Sequence, residues 1–138
     1  MEVLIVVTII TVLAALTVVY GTKSLEATKA KTARAMLQVI YAAEKEYCIH
    51  GGTYTTLGAF GTSGTLLGER YLDDPNDPDQ KDWTYTTPAP GASTGPNNCG
   101  TFLVIATRQG SGHNGGGTIR IDQDNTYTCP VPVPDWGC

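Results

Sequence analysis

The chain has 138 residues, of which 41% are apolar, and its formal net charge is −4. A chain of this length builds one globular domain and not two, and its aromatic and β-branched residues exclude disorder by composition. The apolar residues are unevenly placed, because 16 of the first 20 residues are apolar while nearly all Gly and Pro residues follow residue 50. The composition therefore predicts an apolar rod and a polar head, and not a plain soluble domain.

The charges divide in the same way, with −1 over residues 1–20, +2 over 21–50 and −5 over 51–138. The acidic last part argues against nucleic acid as the main partner. The basic residues just after the apolar stretch are typical of a solvated helix face or of a contact with lipid headgroups. They are Lys23, Lys29, Lys31 and Arg34.

Residues 1–20 predict a transmembrane helix. A secretory signal would begin with basic residues and have a shorter apolar core, whereas this chain begins Met1-Glu2 and stays apolar to Tyr20. At about 1.5 Å per residue, this stretch spans roughly 28 Å, which is close to the thickness of a bilayer's hydrocarbon core.

Residues 21–50 predict the amphipathic half of the same helix. Apart from Gly21 they contain no Gly or Pro, and one Gly in a helix costs only about 1 kcal/mol. Gly51-Gly52 is a typical C-terminal stop. The apolar residues that recur at helical spacing and should face a domain are Ala30, Ala33, Leu37, Ile40, Tyr41, Ala43 and Tyr47.

Residues 51–138 predict a globular head. Residues 54–71 favour a short helix or a packed loop, and residues 73–82 a turn-rich acidic connector. Short links between the strands favour an antiparallel meander packed on the amphipathic half-helix, which makes the class α+β. The predicted strands are Trp83–Thr87, Phe102–Arg108, Thr118–Asp122 and Tyr127–Thr128.

Four cysteines lie beyond the apolar stretch, and they allow three disulfide pairings in an oxidising compartment. Zinc is disfavoured because no Cys-x-x-Cys spacing occurs. The run of closely spaced oxygen ligands after Leu72 leaves open either a calcium site or a stiff solvated turn around Pro75 and Pro78. The candidate calcium ligands are Asp73, Asp74, Asp77 and Asp79.

The catalytic signals are weak. Gly110 to Gly115 matches the dinucleotide-binding fingerprint, but a predicted strand follows it and not a helix, which favours a hairpin loop. His50 and His113 are candidate bases and Ser111 a candidate nucleophile, yet nothing in the sequence places an orienting carboxylate beside them. The sequence predicts neither enzyme activity nor a cofactor.

Several strings together resemble the bacterial type IV pilins and the related pseudopilins of type II secretion. These strings are MEVLIVVTIITVLAAL, the long helix after it, EKEYCIHGGTYTTL at the helix end, and GGTIRIDQDNTYTC in the last strands. They cover most of the chain, although its middle third is generic. The resemblance implies cleavage by a prepilin peptidase, methylation of the new N-terminus, and a sequence that starts a few residues inside the mature chain.

The resemblance also implies particular residue roles. Glu2 matches the acidic residue that pairs with the N-terminal amine of a neighbouring subunit during assembly, and a carboxylate in an apolar run needs such a partner; an interfacial Glu2 that simply meets water is the alternative. Cys129 and Cys138 resemble the terminal disulfide loop of some pilins, which leaves Cys48 to pair with Cys99. Some pseudopilins bind calcium near the acidic run.

The function that the resemblance implies is that of a structural subunit. It would be held in the inner membrane, passed to the pilus assembly machinery, and polymerised with copies of itself through the apolar helix into an extracellular type IV pilus for adhesion or motility. The alternatives are a periplasmic pseudopilin and a minor pilin that binds DNA or surfaces. Many pilins carry Gly and Pro where this chain has Thr11 and Val19, so local melting of the helix rests on Gly21 alone.

Overall fold

The structure is a computed structural model that describes residues 2–59, 61–77, 82–91, 99–110 and 115–130. In the helix, the side chains of residue 2 and of residues 16–23 lie outside this description. The described residues form one long helix followed by a four-stranded antiparallel sheet, so the predicted α+β class is confirmed.

Helix α1 comprises Glu2–Gly51 and is about 75 Å long at 1.5 Å per residue. It ends where Gly52 takes a left-handed conformation, with φ 76°. The amide of Gly52 then donates to the carbonyl of Cys48 over 2.8 Å. This satisfies one of the carbonyls that a helix end leaves open, as expected of a glycine at this position.

The sheet is a meander in the order β1-β2-β3-β4, where β1 is Trp83–Thr86, β2 Leu103–Arg108, β3 Thr118–Asp122 and β4 Tyr127–Thr128. Each bound lies within one residue of the prediction. Residues 54–71 contain neither a helix nor a strand over the part described, so the packed loop is the correct alternative. Leu57, Leu66 and Leu67 of this loop are buried.

The core lies between the second half of α1 and one face of the sheet. Successive strand residues point to opposite faces, so alternate residues of β1, β2 and β3 turn toward the helix. The helix contributes small residues that allow close approach and large ones that fill the gaps. The buried residues at this contact are Ala30, Ala33, Leu37, Ile40, Trp83, Tyr85, Val104, Ala106, Ile119 and Ile121.

A cluster of four charged side chains fixes where α1 crosses the sheet. Arg108 of β2 donates two hydrogen bonds to the carboxylate of Glu26, over 3.3 and 3.0 Å, and another to the Asp82 carboxylate over 3.0 Å. Lys29 donates to the same Asp82 oxygen over 3.0 Å. The hydrogen bond from Arg108 is the main reason that the pKa of Glu26 lies below its ordinary value of 4.5, and the positive charges of Arg108 and Lys29 also lower it.

The free edge of β1 is covered by one side chain. Asn76 donates from Nδ2 to the carbonyl of Tyr85 over 2.9 Å and accepts from the amide of Tyr85 over 2.6 Å. It therefore occupies both backbone groups of Tyr85, which a further strand would bind at this position. Open strand edges can pair with strands of other chains. The side-chain amide of Asn76 blocks such pairing at Tyr85.

Replacing Asn76 with Ala should lower the free energy of unfolding by about 2 kcal/mol, because it leaves the amide and carbonyl of Tyr85 without partners. We expect to see this in denaturant unfolding of the full chain in mild detergent, followed by tryptophan fluorescence. Gln109→Ala, at an exposed position, should change stability by less than about 0.5 kcal/mol. Equal stability of Asn76→Ala and the wild type would contradict this role.

Candidate functional site

The first part of α1 is an exposed apolar surface, which we call the apolar segment (residues 3–13). Each of its large apolar side chains is at least 53% exposed, and Val3 reaches 75%. Ile5, Thr8, Ile9, Val12 and Leu13 line one shallow apolar groove on it. Exposed apolar patches of this extent mark contacts with other proteins or with membranes.

The polar groups within the apolar segment are satisfied by the helix itself. The hydroxyl of Thr8 donates to the carbonyl of Leu4, and the hydroxyl of Thr11 to the carbonyl of Val7. Threonines commonly bond back to the preceding turn in this way. The segment therefore presents an apolar surface even at its threonines.

Glu2 is the first residue of α1, and its side chain lies outside the described part. In the helix residues whose side chains are described, no stretch is long and apolar enough to cross a membrane, so the transmembrane helix predicted over residues 1–20 is not found there.

The predicted disulfide between Cys48 and Cys99 is confirmed, with Cα atoms 5.8 Å apart. Next to it, the amide of Tyr54 donates to the carbonyl of Cys99 over 3.2 Å. The bond ties the end of α1 to the chain ahead of β2. Closing a loop of this size stabilises the fold by about 4 kcal/mol.

The second predicted pair falls partly outside the description. Cys129 is disulfide-bonded, whereas Cys138 lies outside the described residues. Both bonds involve cysteines after the apolar segment, which agrees with a head that folds in an oxidising compartment.

The basic residues predicted to form a patch are distributed over different contacts. Lys29 belongs to the charged cluster beside Asp82, and Arg34 lies over the ring of Tyr127 at 5.8 Å. Lys31 is exposed, and the Lys23 side chain lies outside the description. The structure therefore does not gather the described members into one basic surface.

The weak catalytic signals do not converge either. The residues around Gly110 link β2 to antiparallel β3, as the hairpin prediction requires. His50 is exposed, and its Nδ1 lies 2.9 Å from the carbonyl of Glu46. Ser111 and His113 lie outside the described residues.

The described part of the acidic run contains a turn at Pro75 and Asn76. The Asp74 carboxylate accepts from the amide of Asn76 over 2.8 Å, and Pro75 is buried. Among the described residues, no three His, Cys, Asp or Glu side chains could hold a metal together, so Asp73, Asp74 and Asp77 do not form such a group. Asp79 lies outside the description, and calcium binding at this run stays a prediction.

Glu44 is a site that sequence inspection missed. Its side chain is fully buried between α1 and the loop after it. Oε2 accepts from the amide of Thr55 over 3.1 Å, while Oε1 is buried with no hydrogen-bond partner in the described structure. Burial raises the pKa of Glu44 from 4.5 to about 7, against the opposing effect of the Thr55 bond.

A helical signal for Glu44 existed in the sequence. Glu44 continues the buried series of Ala33, Leu37 and Ile40 and precedes Cys48 on the same face. A carboxyl in phase with core residues is an ionisable group in an apolar environment. The sequence analysis considered only apolar residues at helical spacing and therefore did not include Glu44, because Glu is usually exposed.

Comparisons with known proteins add no relative. No protein-family model matches the chain, and neither the curated proteins nor the solved structures contain a significant match.

We expect Glu44→Gln to flatten the dependence of stability on pH. The pKa of Glu44 is higher in the folded state, so the stability that its proton contributes is complete below pH 4.5 and is lost as the pH rises through about 7. The loss amounts to about 3 kcal/mol. Melting temperatures between pH 4.5 and 8 should fall more in the wild type than in Glu44→Gln.

Glu46→Gln is the matched control, since Glu46 is exposed on the same helix. Its melting curve should follow the wild type at every pH. Parallel curves for Glu44→Gln and the wild type would show that Glu44 does not titrate in this range.

Proposed function

We propose that the protein is a structural subunit that polymerises through helix α1 into a type IV pilus-like extracellular filament. The observation that carries the proposal is the exposed apolar segment at the end of a helix whose other half is docked on the head. Within one chain each large apolar side chain of this segment is more than half exposed. The segment therefore needs apolar contacts that the rest of the chain does not supply, from a membrane or from other molecules.

The energetics favour burial between subunits. Covering a Val, Leu or Ile side chain stabilises the covered state by roughly 1.5–3 kcal/mol, and the apolar segment carries nine such side chains. Before assembly the inner membrane covers this surface, and after assembly the helices of neighbouring subunits do. Because each subunit uses different surfaces toward the subunits before and after it, the contact does not close and a filament results.

The arrangement of the head fits this role. The charged cluster around Arg108 and the Cys48–Cys99 bond lie at the two ends of the docked half of α1, and both hold the head to the helix. A load applied to the helix is thereby transmitted to the sheet through covalent and ionic contacts. Adhesion, motility or surface contact are the roles that an extracellular fibre of such heads would serve.

Ile9→Glu should abolish filaments, because it places a charge in the apolar segment where neighbouring subunits would bury it. Ile9 is 53% exposed, so the fold of the head should be unaffected, as non-reducing electrophoresis of its disulfides can verify. Ile9→Leu is the matched control and should assemble normally. The measurement is negative-stain microscopy of material sheared from cells.

The length of the fibres in the wild-type sample distinguishes a pilus subunit from the alternatives. Long fibres support a pilus subunit, short stubs would indicate a pseudopilin, and an absence of fibres would contradict the polymer. Filaments of normal yield in Ile9→Glu would contradict the apolar segment as the assembly surface.

Glu2→Ala should reduce filament yield strongly, because its carboxylate begins an apolar run and needs a charged partner such as the N-terminal amine of a neighbouring subunit. The yield is measured as pelleted subunit relative to cell-associated subunit. Asp124→Ala removes an exposed carboxylate of the head and should leave the yield unchanged. Normal assembly of Glu2→Ala would eliminate the role assigned to Glu2.

A further inference from the structure

The packed loop after α1 forms one unit, which we call the leucine loop (residues 54–59 and 61–67). Its buried Leu57, Leu66 and Leu67 belong to the core of the head. Within the loop, the amides of Leu66 and Leu67 donate to the carbonyls of Thr56 and Leu57, each over 3.1 Å. Because these bonds join the first residues of the loop to the last, both ends are held in place together.

Two backbone amides attach the leucine loop to the chain on the side of the sheet. The amide of Tyr54 donates to the carbonyl of Cys99 over 3.2 Å, next to the disulfide of Cys99 with Cys48. The amide of Leu57 donates to the hydroxyl of Thr87, the residue after β1. Neither bond involves a group that titrates near neutral pH.

Two side chains of α1 hold the leucine loop from the other side. Lys45 donates to the hydroxyl of Tyr54 over 2.7 Å, and the Oε2 atom of Glu44 accepts from the amide of Thr55 over 3.1 Å. A lysine keeps its charge at neutral pH, whereas burial raises the pKa of Glu44 to about 7. Of these two contacts, the one from Glu44 therefore changes its charge near neutral pH.

The contact accommodates the ionised form of Glu44 poorly. The side chain is fully buried, and Oε1 has no hydrogen-bond partner in the described structure. A buried carboxylate that accepts one hydrogen bond lacks most of the bonds that it makes in water. Ionisation strengthens the bond from Thr55, but burial has the larger effect on the pKa of Glu44. The ionised form is therefore stabilised when water reaches Oε1.

Among the described residues, no cation forms a salt bridge with Glu44. Lys45 is the next residue on α1, and adjacent helix positions do not face each other. Its ammonium lies over the rings of Tyr41 and Tyr54, 5.4 Å from each centroid. In the same core, Tyr85 of β1 is neutral near pH 7, because burial raises its pKa to about 12. The other charged or titratable groups at this helix end and just after the leucine loop are exposed. They are Glu46, His50, Glu69 and Arg70.

We propose that the contact between Glu44 and the leucine loop is a proton-dependent latch: neutral Glu44 keeps the loop closed on α1, and ionised Glu44 allows it to open to water. The Cys48–Cys99 bond remains in both states and keeps the start of the loop tied to the chain ahead of β2. The open state exposes Leu57, Leu66 and Leu67 as an additional apolar surface above neutral pH. The latch is a property of the head and does not rest on the proposed filament.

The test is amide hydrogen exchange of the full chain in mild detergent, measured by NMR at pH 5.5 and 8 and corrected for intrinsic exchange rates. The reporters are the amides of Thr55 and Leu57, through which the loop is attached to Glu44 and Thr87. With a pKa of 4.5 in the open state and about 7 in the closed state, the ratio of open to closed loop should rise about 25-fold. The protection of both amides should fall by the same factor.

Amides bonded between β2 and β3 distinguish the latch from unfolding of the whole head. A local opening leaves the sheet intact, so the two loop amides should be less protected than the sheet amides at both pH values. Equal protection of loop and sheet amides would show that the loop opens only when the head unfolds, and this would overturn the proposal. Constant protection of the loop amides in the wild type would overturn it as well.

Three variants assign the effect to one residue. Glu44→Gln has nearly the same shape and cannot ionise, so its protection at Thr55 and Leu57 should not depend on pH. Glu46→Gln and His50→Gln remove exposed titratable groups of the same helix end and should keep the fall seen in the wild type. A fall that persists in Glu44→Gln, or that His50→Gln removes, would contradict the latch. If Glu44→Gln does not fold, Glu44→Met removes the same charge and must give the same constant protection.

Discussion

The unbroken course of α1 is the constraint on which the rest of the structure depends. Once Leu37 and Ile40 turn toward the sheet, the directions of the neighbouring side chains follow from the helical repeat, because α1 is one continuous helix from Glu2 to Gly51. The core stripe therefore determines which positions of the docked half of α1 point away from the sheet. It also determines that Glu44, which continues the stripe, is buried.

Two kinds of polar contact support this docking, and they respond to acid in opposite ways. At one end, hydrogen bonds lower the pKa of Glu26, with Arg108 as the main cause, and that of Asp82, with Lys29 as the main cause. Their contribution to stability is lost as the pH falls below the ordinary carboxyl range. At the other end, burial raises the pKa of Glu44. The docked half-helix is thus held best in mildly acidic conditions.

The sequence was sufficient for the elements whose signal is local. The strand bounds followed from alternation and from Gly- and Pro-rich links, and the helix end followed from Gly51-Gly52. The Cys48–Cys99 pair came from the resemblance and not from spacing, since four cysteines allow three pairings. The apolar segment was also readable, because its apolar run is contiguous.

The contacts that the sequence did not reveal join residues that are distant along the chain. Arg108 and Glu26 are 82 residues apart, and their bond depends on where the helix crosses β2. Glu44 lies at the helical spacing of the buried residues, but a charged residue is not counted when apolar periodicity is analysed. The pairing of Asn76 with Tyr85 depends on how the acidic turn approaches β1, which no periodicity encodes.

The amide of Asn76 has a further consequence for the proposed filament. In the proposed filament the heads stand at a high local concentration, where an open strand edge could join one sheet to the next and produce disordered aggregates. By occupying the backbone groups of Tyr85, Asn76 hinders pairing of this strand edge with the sheet of another head. In the proposed filament the covered position of the β1 edge takes no part in association, and the helices join the subunits.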